Sequence, residues 1–380
     1  MTVPKSPRTP LTVLAGVGAL VALSACDSTD SASGTGGPIK VEASDATCAV
    51  ATSTADAGNV TFEITNKGSK VTEFYLYAEG DRIMGEVENI APGLNRRLIV
   101  EVPDAGKYQT ACKPGMVGNG IRGDFTVTGG AAKQNDVNAQ KSEATKSYAT
   151  YVANNTSALE TETAKFVETV KAGKVAEAKA QYATTRAYYE RIEPVAEKFG
   201  DLDPLIDVRE ADLEAGQQFT GFHRLEKDLW VTGLKPDSGQ VADKLLTDVK
   251  DLVAKTKTLQ LTALDLANGA KGLLDEVATG KITGEEETFS HTDLWDFQAN
   301  VDGSKGAIAA LRPVLQERDP ALVSTLDKQF ANVQSLLDRT RAGDGFKYYN
   351  QLSPDEIKAF ASAVDALSEP LSKVAEVVSK

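Results

Sequence analysis

Histidine is scarce in this chain, and its scarcity limits the kinds of metal centre that the protein can build. The 380 residues include two histidines, His223 and His291. No second histidine lies within a helical turn of His223, and the His-Glu-x-x-His pattern of zinc metalloproteases is absent. A catalytic zinc site of the usual multi-histidine kind is therefore hard to build here. Any metal bound through nitrogen must use one of these two side chains.

Positive charge and long apolar runs are also in short supply. The 54 acidic residues outnumber the 41 lysines and arginines, which gives a formal net charge of −13. This balance argues against nucleic acid and anionic lipid surfaces as partners. Residues 11–25 form an apolar run that is short for a membrane span but suits the core of a signal peptide. No other stretch is apolar and long enough for a transmembrane helix.

The chain has three cysteines, and they divide into two groups. Cys26 follows Leu-Ser-Ala in a pattern that resembles a bacterial lipobox, so we expect a signal peptide over 1–25 and a lipid anchor on Cys26. Residues 26–38 are rich in Ser, Gly, Thr and Asp and read as a flexible tether. This places the mature protein on the extracytoplasmic face of the cell membrane. Cys48 and Cys112 are left to form one disulfide or to act as soft metal ligands.

Residues 39–130 have the pattern of a β-sandwich. Asn59–Asn66 alternates apolar and polar side chains, and Gly, Pro, Asn and Asp separate it from further short strands. A blue-copper site needs two histidines with a cysteine and a weak axial methionine. Because residues 39–130 contain no histidine, an ordinary blue-copper electron-transfer site is excluded.

The pattern changes after residue 130. We expect a polar linker over 131–146 and a helical domain over 147–380. Apolar residues recur at helical spacing over Ala158–Val170, Val175–Phe199, Val241–Ala267, Leu322–Arg339 and Pro354–Val378. Short connections marked by proline and glycine favour an antiparallel bundle. The fold class is thus multidomain, with a β-sandwich followed by an all-α domain.

His223 and Glu226 are the strongest candidates for a metal site in the helical domain. Their i, i+3 spacing places an imidazole and a carboxylate on one helix face, where they can bind one ion together. Such a donor pair suits iron or zinc. The spacing alone is weak evidence, since a half-buried histidine paired with a glutamate has the same pattern.

Other carboxylate pairs have the same spacing and supply candidates for facing ligands. Glu190 and Glu193 stand one turn apart before a proline, and Asp293 and Asp296 follow His291. In helical bundles, carboxylates from facing helices complete such sites. The two aspartates also fit a simpler role as caps of a helix start.

Several motifs together resemble a known family. Residues 287–316, with Ser-His-Thr-Asp-Leu-Trp-Asp-Phe near their start, resemble the C-terminal domain of the EfeO-type iron-uptake lipoproteins. Residues 189–204, 221–230 and 367–372 resemble it as well. That domain belongs to the imelysin-like or M75 peptidase-like group, whose hallmark is a His-x-x-Glu pair. The resemblance implies a helical bundle with a metal site near the pair and carboxylates from neighbouring helices. The implied ligands are His223, Glu226, Glu190 and Asp293, followed by Glu193 and Asp296.

The order of the two domains also matches this family, whose N-terminal domain is cupredoxin-like. The resemblance suggests Cys48 and Cys112 as a paired site for copper or as a disulfide, which would stabilise the domain by ~3–4 kcal/mol. It also suggests an acidic site for oxidised iron, drawn from Glu73, Glu86 and Glu88. Fe³⁺ is a hard cation, and hard cations take carboxylate oxygen. A solvated strand face is the alternative for these glutamates.

The function implied by the resemblance is iron capture outside the membrane. The protein would bind Fe²⁺ or Fe³⁺ and pass it toward an EfeU-like permease, with an EfeB-like haem peroxidase as a further partner. It would not be an enzyme. Two other classes stay open: a metallopeptidase of the M75 type, and a binder of copper or of a polysaccharide bridged by calcium.

Overall fold

A computed structural model describes residues 37–129, 137–213 and 216–380. The predicted signal peptide, the lipidated Cys26 and nearly all of the tether lie outside these described residues. Within the described part of the chain, no helix combines the length and the apolar character needed to cross a membrane.

The N-terminal domain is a sandwich of two sheets, as the alternating pattern predicts. Its strands are β1 (Ile39–Ala43), β2 (Cys48–Val50), β3 (Thr54–Asp56), β4 (Gly58–Asn66), β5 (Thr72–Ala78), β6 (Arg82–Ile90), β7 (Asn95–Val102), β8 (Gly106–Cys112) and β9 (Ile121–Thr128). One sheet has the order β2-β1-β4-β7 and the other β3-β9-β8-β5-β6. The β1–β4 and β3–β9 pairs are parallel, and the remaining pairs are antiparallel.

Inward-facing aromatic rings join the two sheets. Phe62 of β4 lies 5.0 Å from Phe74 of β5 and 5.5 Å from Phe125 of β9, measured between ring centroids. All three side chains are buried. Tilted aromatic contacts of this kind add to the free energy gained from burying the rings.

Cys48 and Cys112 form a disulfide. The bond links β2, in one sheet, to the end of β8, in the other. Of the two roles that the sequence left open for these cysteines, the structure has the disulfide. Both sulfur atoms are then bonded to each other and do not present a pair of thiolates to copper.

The C-terminal domain is helical. Its helices are α1 (Val137–Lys171), α2 (Val175–Glu190), α3 (Leu202–Asp207), α4 (Gly221–Lys227), α5 (Ser238–Thr256), α6 (Ala263–Thr279), α7 (Asp293–Arg318), α8 (Pro320–Arg339), α9 (Pro354–Leu371) and α10 (Val374–Ser379). Short 3₁₀ turns cover Glu193–Phe199 and Lys281–Thr283, and a two-stranded ribbon pairs β10 (Arg341–Ala342) with β11 (Gly345–Phe346).

Several predicted boundaries in this domain are wrong. The stretch Val175–Phe199 is α2 followed by a 3₁₀ turn, and Pro354–Val378 is divided between α9 and α10. The first helix begins at Val137, so residues 137–146 are helical where a linker was expected. The predicted helix Val241–Ala267 is two helices, because Thr262 starts a new one. The Thr262 hydroxyl accepts from the Asp265 amide while the Asp265 carboxylate accepts from the Thr262 amide. This capping box satisfies orphan donors at the new helix start.

Polar contacts attach the sandwich to the helical domain. The Asn268 side chain on α6 donates to the Ile99 carbonyl on β7, at 2.8 Å. Lys198 Nζ lies 3.2 Å from the Ile83 carbonyl on β6 and 2.8 Å from Asp265. The edges of both sheets, β6 and β7, therefore face α6 and the neighbouring 3₁₀ turn.

A glycine on α6 allows this turn to approach closely. A Cβ at Gly269 would lie 1.8 Å from the Pro194 carbonyl oxygen, which is far inside contact distance. Gly272 stands on the same helix, and a Cβ there would meet nothing within 4 Å. The chain around Pro194 also carries Glu193, so the contact at Gly269 fixes the position of a candidate site residue.

Gly269→Ala is expected to lower the free energy of unfolding by about 1–3 kcal/mol, because the added methyl group forces α6 and the turn apart. Gly272→Ala is the matched control, and it should raise stability by roughly 0.5–1 kcal/mol through better helix propensity. Chemical denaturation of both variants measures the difference. Equal effects at the two positions would contradict the close packing described here.

Candidate metal centre

Helix α4 starts at a position where only glycine fits. Gly221 has φ of 79°, and a Cβ there would lie 2.2 Å from the carbonyl oxygen of Ile206 at the end of α3. The Thr220 hydroxyl donates to the Leu205 carbonyl and ties the same two segments together. The close approach brings His223, two residues into α4, beside Asp207, the last residue of α3.

His223 and Glu226 meet in the interior of the helical domain, as their spacing predicts. Nδ1 of His223 lies 3.1 Å from Oε2 of Glu226, and the exposed fractions of the residues are 1% and 0%. The other oxygen of Glu226 accepts from the backbone amides of Phe289 and Ser290, at 2.9 and 2.7 Å. These two amides fix the carboxylate and leave Oε2 directed at the imidazole.

Glu287 completes a group of three donors. Donor atoms of His223, Glu226 and Glu287 all lie within 4.8 Å of one another. Ser290 donates to Oε2 of Glu287 at 2.8 Å, and Tyr182 donates to Oε1 at 3.3 Å. Hydrogen bonds of this kind orient ligands around a metal.

The spacing of these atoms suits one metal ion. Two ligand atoms that each stand about 2.1 Å from an ion, at a right angle to each other, lie about 3.0 Å apart. The 3.1 Å between Nδ1 and Oε2 is the distance of a hydrogen bond, and it is also close to this value. The donor set, one imidazole nitrogen and carboxylate oxygens, is one that iron and zinc accept.

Arg186 of α2 occupies the other side of His223. Its side chain is fully buried, and Nη2 lies 3.1 Å from His223 Nε2. The guanidinium contacts carboxylates from four segments: Glu190 at 2.8 Å, Asp207 at 2.8 Å, Glu286 at 2.6 Å, Glu287 at 3.2 Å and Asp296 at 2.9 Å. A buried charge of this kind is stable only when it is paired.

Lys281 is a second buried cation in the same interior. Its Nζ lies 2.9 Å from Glu190 and 2.7 Å from Glu193, with a side chain only 1% exposed. Asn300 of α7 also donates to both glutamates, at 2.7 Å each. Lys281 and Asn300 therefore hold Glu190 and Glu193 next to each other.

The surrounding charges alter the acidities in the centre. Burial and Arg186 act to lower the pKa of His223, but its hydrogen bonds to Glu226 and Glu286 outweigh them and raise it to about 9. Burial raises the pKa of Asp293 to about 6 and that of Glu287 well above its usual range. Burial also acts to raise the pKa of Glu226, but its contact with His223 brings it below the ordinary value.

Asp293 and Asp296, the other predicted ligands, begin α7 and are buried in the same interior. Asp293 Oδ1 accepts from the backbone amide of Glu287, whereas its Oδ2 has no hydrogen-bond partner among the described residues. Both oxygens of Asp296 likewise have no hydrogen-bond partner, and the carboxylate is ion-paired with Arg186. A buried carboxylate oxygen without a hydrogen bond is costly and is suited to receiving a cation.

His291 contributes to the turn before α7 through its backbone and not to the donor groups through its side chain. It adopts a positive φ of 59°, accepts at its backbone carbonyl from the Tyr349 amide, and belongs to none of the three-residue donor groups found among the described residues. Its backbone turns the chain from the Glu287 loop into α7.

The three predicted glutamates of the sandwich lie on the side that faces the helical domain, but they belong to none of the donor groups within 4.8 Å found among the described residues. Tyr75 Oη donates to Glu73 at 2.9 Å and to Glu88 at 3.3 Å. Glu86 and Glu88 line a cavity of about 80 Å³, together with Glu197 and Glu276 of the helical domain. Burial and the neighbouring Glu197 raise the pKa of Glu86 well above its usual range. The two domains therefore share one acidic cleft.

Several residues of both clusters were not predicted from the sequence. They are Arg186, Asp207, Lys281, Glu286 and Glu287 in the helical centre, and Glu197 and Glu276 in the cleft. The run Glu285-Glu286-Glu287 was visible at the edge of the motif around His291. Arg186 precedes Glu190 by four residues, which is helical spacing for an ion pair. Lys281 gave no such signal, because its partners are distant in sequence.

The fold and the centre define a class: a two-domain protein in which a β-sandwich precedes a helical domain with a buried histidine–carboxylate centre. The imelysin model of the peptidase M75 family matches residues 144–374, and the cupredoxin-like domain model matches residues 16–127. These assignments agree with the predicted domain types.

Comparison with individual proteins is more specific. The chain is 40% identical over 346 residues to proteins named iron uptake system component EfeO from Escherichia coli O157:H7, Escherichia coli K12 and Shigella flexneri. Each alignment covers 90% of this chain and 91% of the relative. The chain belongs to the EfeO family, with a cupredoxin-like N-terminal domain and an imelysin C-terminal domain.

The His223 imidazole is expected to keep its second proton up to a pH of about 9, since its carboxylate contacts raise its pKa. Glu226→Gln should lower this pKa by roughly one unit or more, because the neutral amide no longer stabilises the imidazolium. An NMR titration of the imidazole signals measures both values. A His223 that titrates near its ordinary pKa in the unaltered protein would contradict the described contacts.

Proposed function

We propose that this protein is an iron-binding component of an iron-uptake system and that His223, Glu226 and Glu287 hold the ion in the helical domain. The observation that carries the proposal is the 3.1 Å approach of Nδ1 to a carboxylate that two backbone amides fix in place. The names of the relatives support iron as the cargo.

The donor set fits capture followed by release. Nitrogen and carboxylate donors bind iron. A closed set of four thiolates, as in structural zinc sites, would hold its ion as part of the folded structure and would not release it. Iron must displace the proton on His223, so its affinity should rise with pH below the raised pKa of about 9. Asp293, Asp296, Glu190 and Glu193 keep the surrounding interior negative.

The sandwich glutamates form a second proposed site, for oxidised iron. Glu86 and Glu88 bring oxygen ligands to the cleft, and Glu197 and Glu276 add two from the helical domain. Glu73 is linked to Glu88 through the Tyr75 hydroxyl and is the fifth proposed ligand. Such an all-oxygen set matches the preference of a hard cation. Like charges at this density repel one another unless protons or a cation neutralise them.

The proposed cellular setting is a lipid anchor outside the cytoplasmic membrane and a place in an iron-uptake system. The lipobox-like Cys26 supports a lipoprotein held on the extracytoplasmic face of the membrane. Within the family, an EfeU-like permease would receive the iron and an EfeB-like haem peroxidase would act beside it. The negative net charge raises the local concentration of cations near the protein.

A binding role is proposed in place of a catalytic one. Peptidase activity is tested by incubating unstructured peptides with the iron-loaded and zinc-loaded protein. Peptide cleavage that depends on Glu226 would overturn a purely binding role. The alternative of a calcium-dependent polysaccharide binder is tested by metal competition. Displacement of bound iron by equimolar Ca²⁺ would favour that alternative.

His223→Ala combined with Glu226→Ala should remove at least one bound Fe²⁺ per chain and leave the helical circular-dichroism signal intact. The matched control is His291→Asn, since asparagine tolerates the positive φ at that position and His291 lies outside the donor groups. Anaerobic Fe²⁺ titration of the three proteins measures the stoichiometry. Unchanged iron binding in the double variant, or an equal loss in the control, would overturn the assignment of the site.

Glu86→Gln combined with Glu88→Gln should abolish Fe³⁺ binding at the cleft and raise the melting temperature of the iron-free protein, because repulsion among buried carboxylates is relieved. Glu79→Gln, at an exposed carboxylate just before β6, is the control and should change neither quantity. Calorimetry and titration with a weak Fe³⁺ chelate measure the two effects. A lower melting temperature with unchanged Fe³⁺ binding would assign these glutamates to the fold alone.

A further inference from the structure

The polar interior of the helical domain contains more than one group of donors that is able to hold a cation. Among the described residues, three such groups have donor atoms within 4.8 Å of one another. They are His223 with Glu226 and Glu287, His223 with Asp207 and Glu286, and Glu190 with Glu193 and Asp207. Residues shared between the groups join them into one continuous set.

We propose that Lys281 and Arg186 are built-in counter-cations that fill two of these groups and restrict the helical domain to one iron ion, bound through His223 Nδ1. The inference rests on the proposed function, since it assumes that the remaining group binds iron. Beyond that function, it specifies that one ion binds and that the ligating nitrogen is Nδ1 of His223. It assigns both properties to Lys281 and Arg186.

Lys281 engages the two glutamates of the group of Glu190, Glu193 and Asp207, and Arg186 engages its aspartate. Its Nζ lies 2.9 Å from Glu190 Oε2 and 2.7 and 2.8 Å from the two oxygens of Glu193. An ammonium group has three donors, and these three oxygens engage all of them. A metal ion that used the same oxygens would have to lie against Nζ. Two cations in contact inside a buried site repel each other strongly.

Arg186 fills the group of Asp207, His223 and Glu286. Its Nη2 stands 2.8 Å from Asp207, 2.6 Å from Glu286 and 3.1 Å from His223 Nε2. A metal ion cannot approach Nε2 from this side without contacting the guanidinium. Five carboxylates hold Arg186 in place, so its displacement would leave several buried charges without a partner.

In the remaining group, no lysine or arginine of the described residues is ion-paired with Glu226 or contacts His223 Nδ1. Nδ1 of His223 and Oε2 of Glu226 face each other directly at 3.1 Å. Nη1 of Arg186 lies 3.2 Å from Oε1 of Glu287, while Ser290 donates to Oε2. An ion enters this group by replacing the proton between Nδ1 and Oε2, without moving either buried cation.

The first test counts the ions bound when the ammonium is removed. Lys281→Met keeps the length and the apolar part of the side chain but frees the oxygens of Glu190 and Glu193. Anaerobic titration of the full chain with Fe²⁺ should then show one more ion per chain than the unaltered protein. Lys281→Arg, which keeps the charge, should bind the same number as the unaltered protein. A folded Lys281→Met protein with an unchanged count would overturn the proposal.

The second test does not depend on the folding of the lysine variant. Glu193→Gln and Glu226→Gln each remove one carboxylate charge from the same interior. If Glu193 serves Lys281, its variant should bind Fe²⁺ within about threefold of the unaltered affinity, whereas Glu226→Gln should weaken binding by about tenfold to a hundredfold. Equal weakening by both changes would make Glu193 an iron ligand and overturn the proposal.

The outcome also separates this inference from the proposed function. An unaltered chain that binds no Fe²⁺ at His223 contradicts the proposed function itself. An unaltered chain that binds Fe²⁺ through His223, with no extra ion in Lys281→Met, contradicts only the role of the counter-cations.

Discussion

The structure of the helical domain depends on the pairing of one buried guanidinium with carboxylates from several segments. Arg186 connects α2, the end of α3, the loop before α7 and the first turn of α7. Removing a buried charge from such a network leaves its partners unpaired, at a cost of several kcal/mol. The same network supports the walls of the proposed metal centre, because Asp207, Glu286 and Glu287 are held next to His223. Stability and ligand geometry are thus two results of one set of ion pairs.

A continuous series of contacts joins the acidic residues of the sandwich to those of the helical domain. Glu86 and Glu88 of the sandwich share a cavity lining with Glu193 and Glu276 of the helical domain. Glu193 contacts Lys281, and Lys281 also contacts Glu190. Glu190 is in turn ion-paired with Arg186. The close approach of Pro194 to Gly269 fixes the position of Glu193, which links the cleft to Lys281. The cleft and the helical centre are therefore neighbouring parts of one acidic interior.

Much of the fold could be predicted from the sequence, since it is encoded locally. The alternation in Asn59–Asn66 identifies β4, and the His-x-x-Glu spacing correctly brings His223 and Glu226 together. The break between α5 and α6 depends on a capping box at Thr262 that the apolar periodicity hides. The start of α1 was missed because its first residues are polar, although they favour a helix.

The centre was harder to predict because its parts come from distant segments. Lys281 meets Glu190 and Glu193 only after α2, α6 and α7 have packed, and no local pattern pairs these residues. The sequence likewise suggested the sandwich glutamates without their partners, Glu197 and Glu276, which come from the other domain. Spacing identifies residues that share one helix face, whereas tertiary packing decides which faces meet.

The most direct test of the account is a crystal structure of the Fe²⁺-loaded chain with anomalous diffraction measured at the iron absorption edge. The account predicts one strong peak in the helical domain, about 2.1 Å from His223 Nδ1 and in contact with Glu226 and Glu287, with Arg186 and Lys281 in place. A peak between Glu190 and Glu193, or on the Nε2 side of His223 with Arg186 displaced, would contradict it.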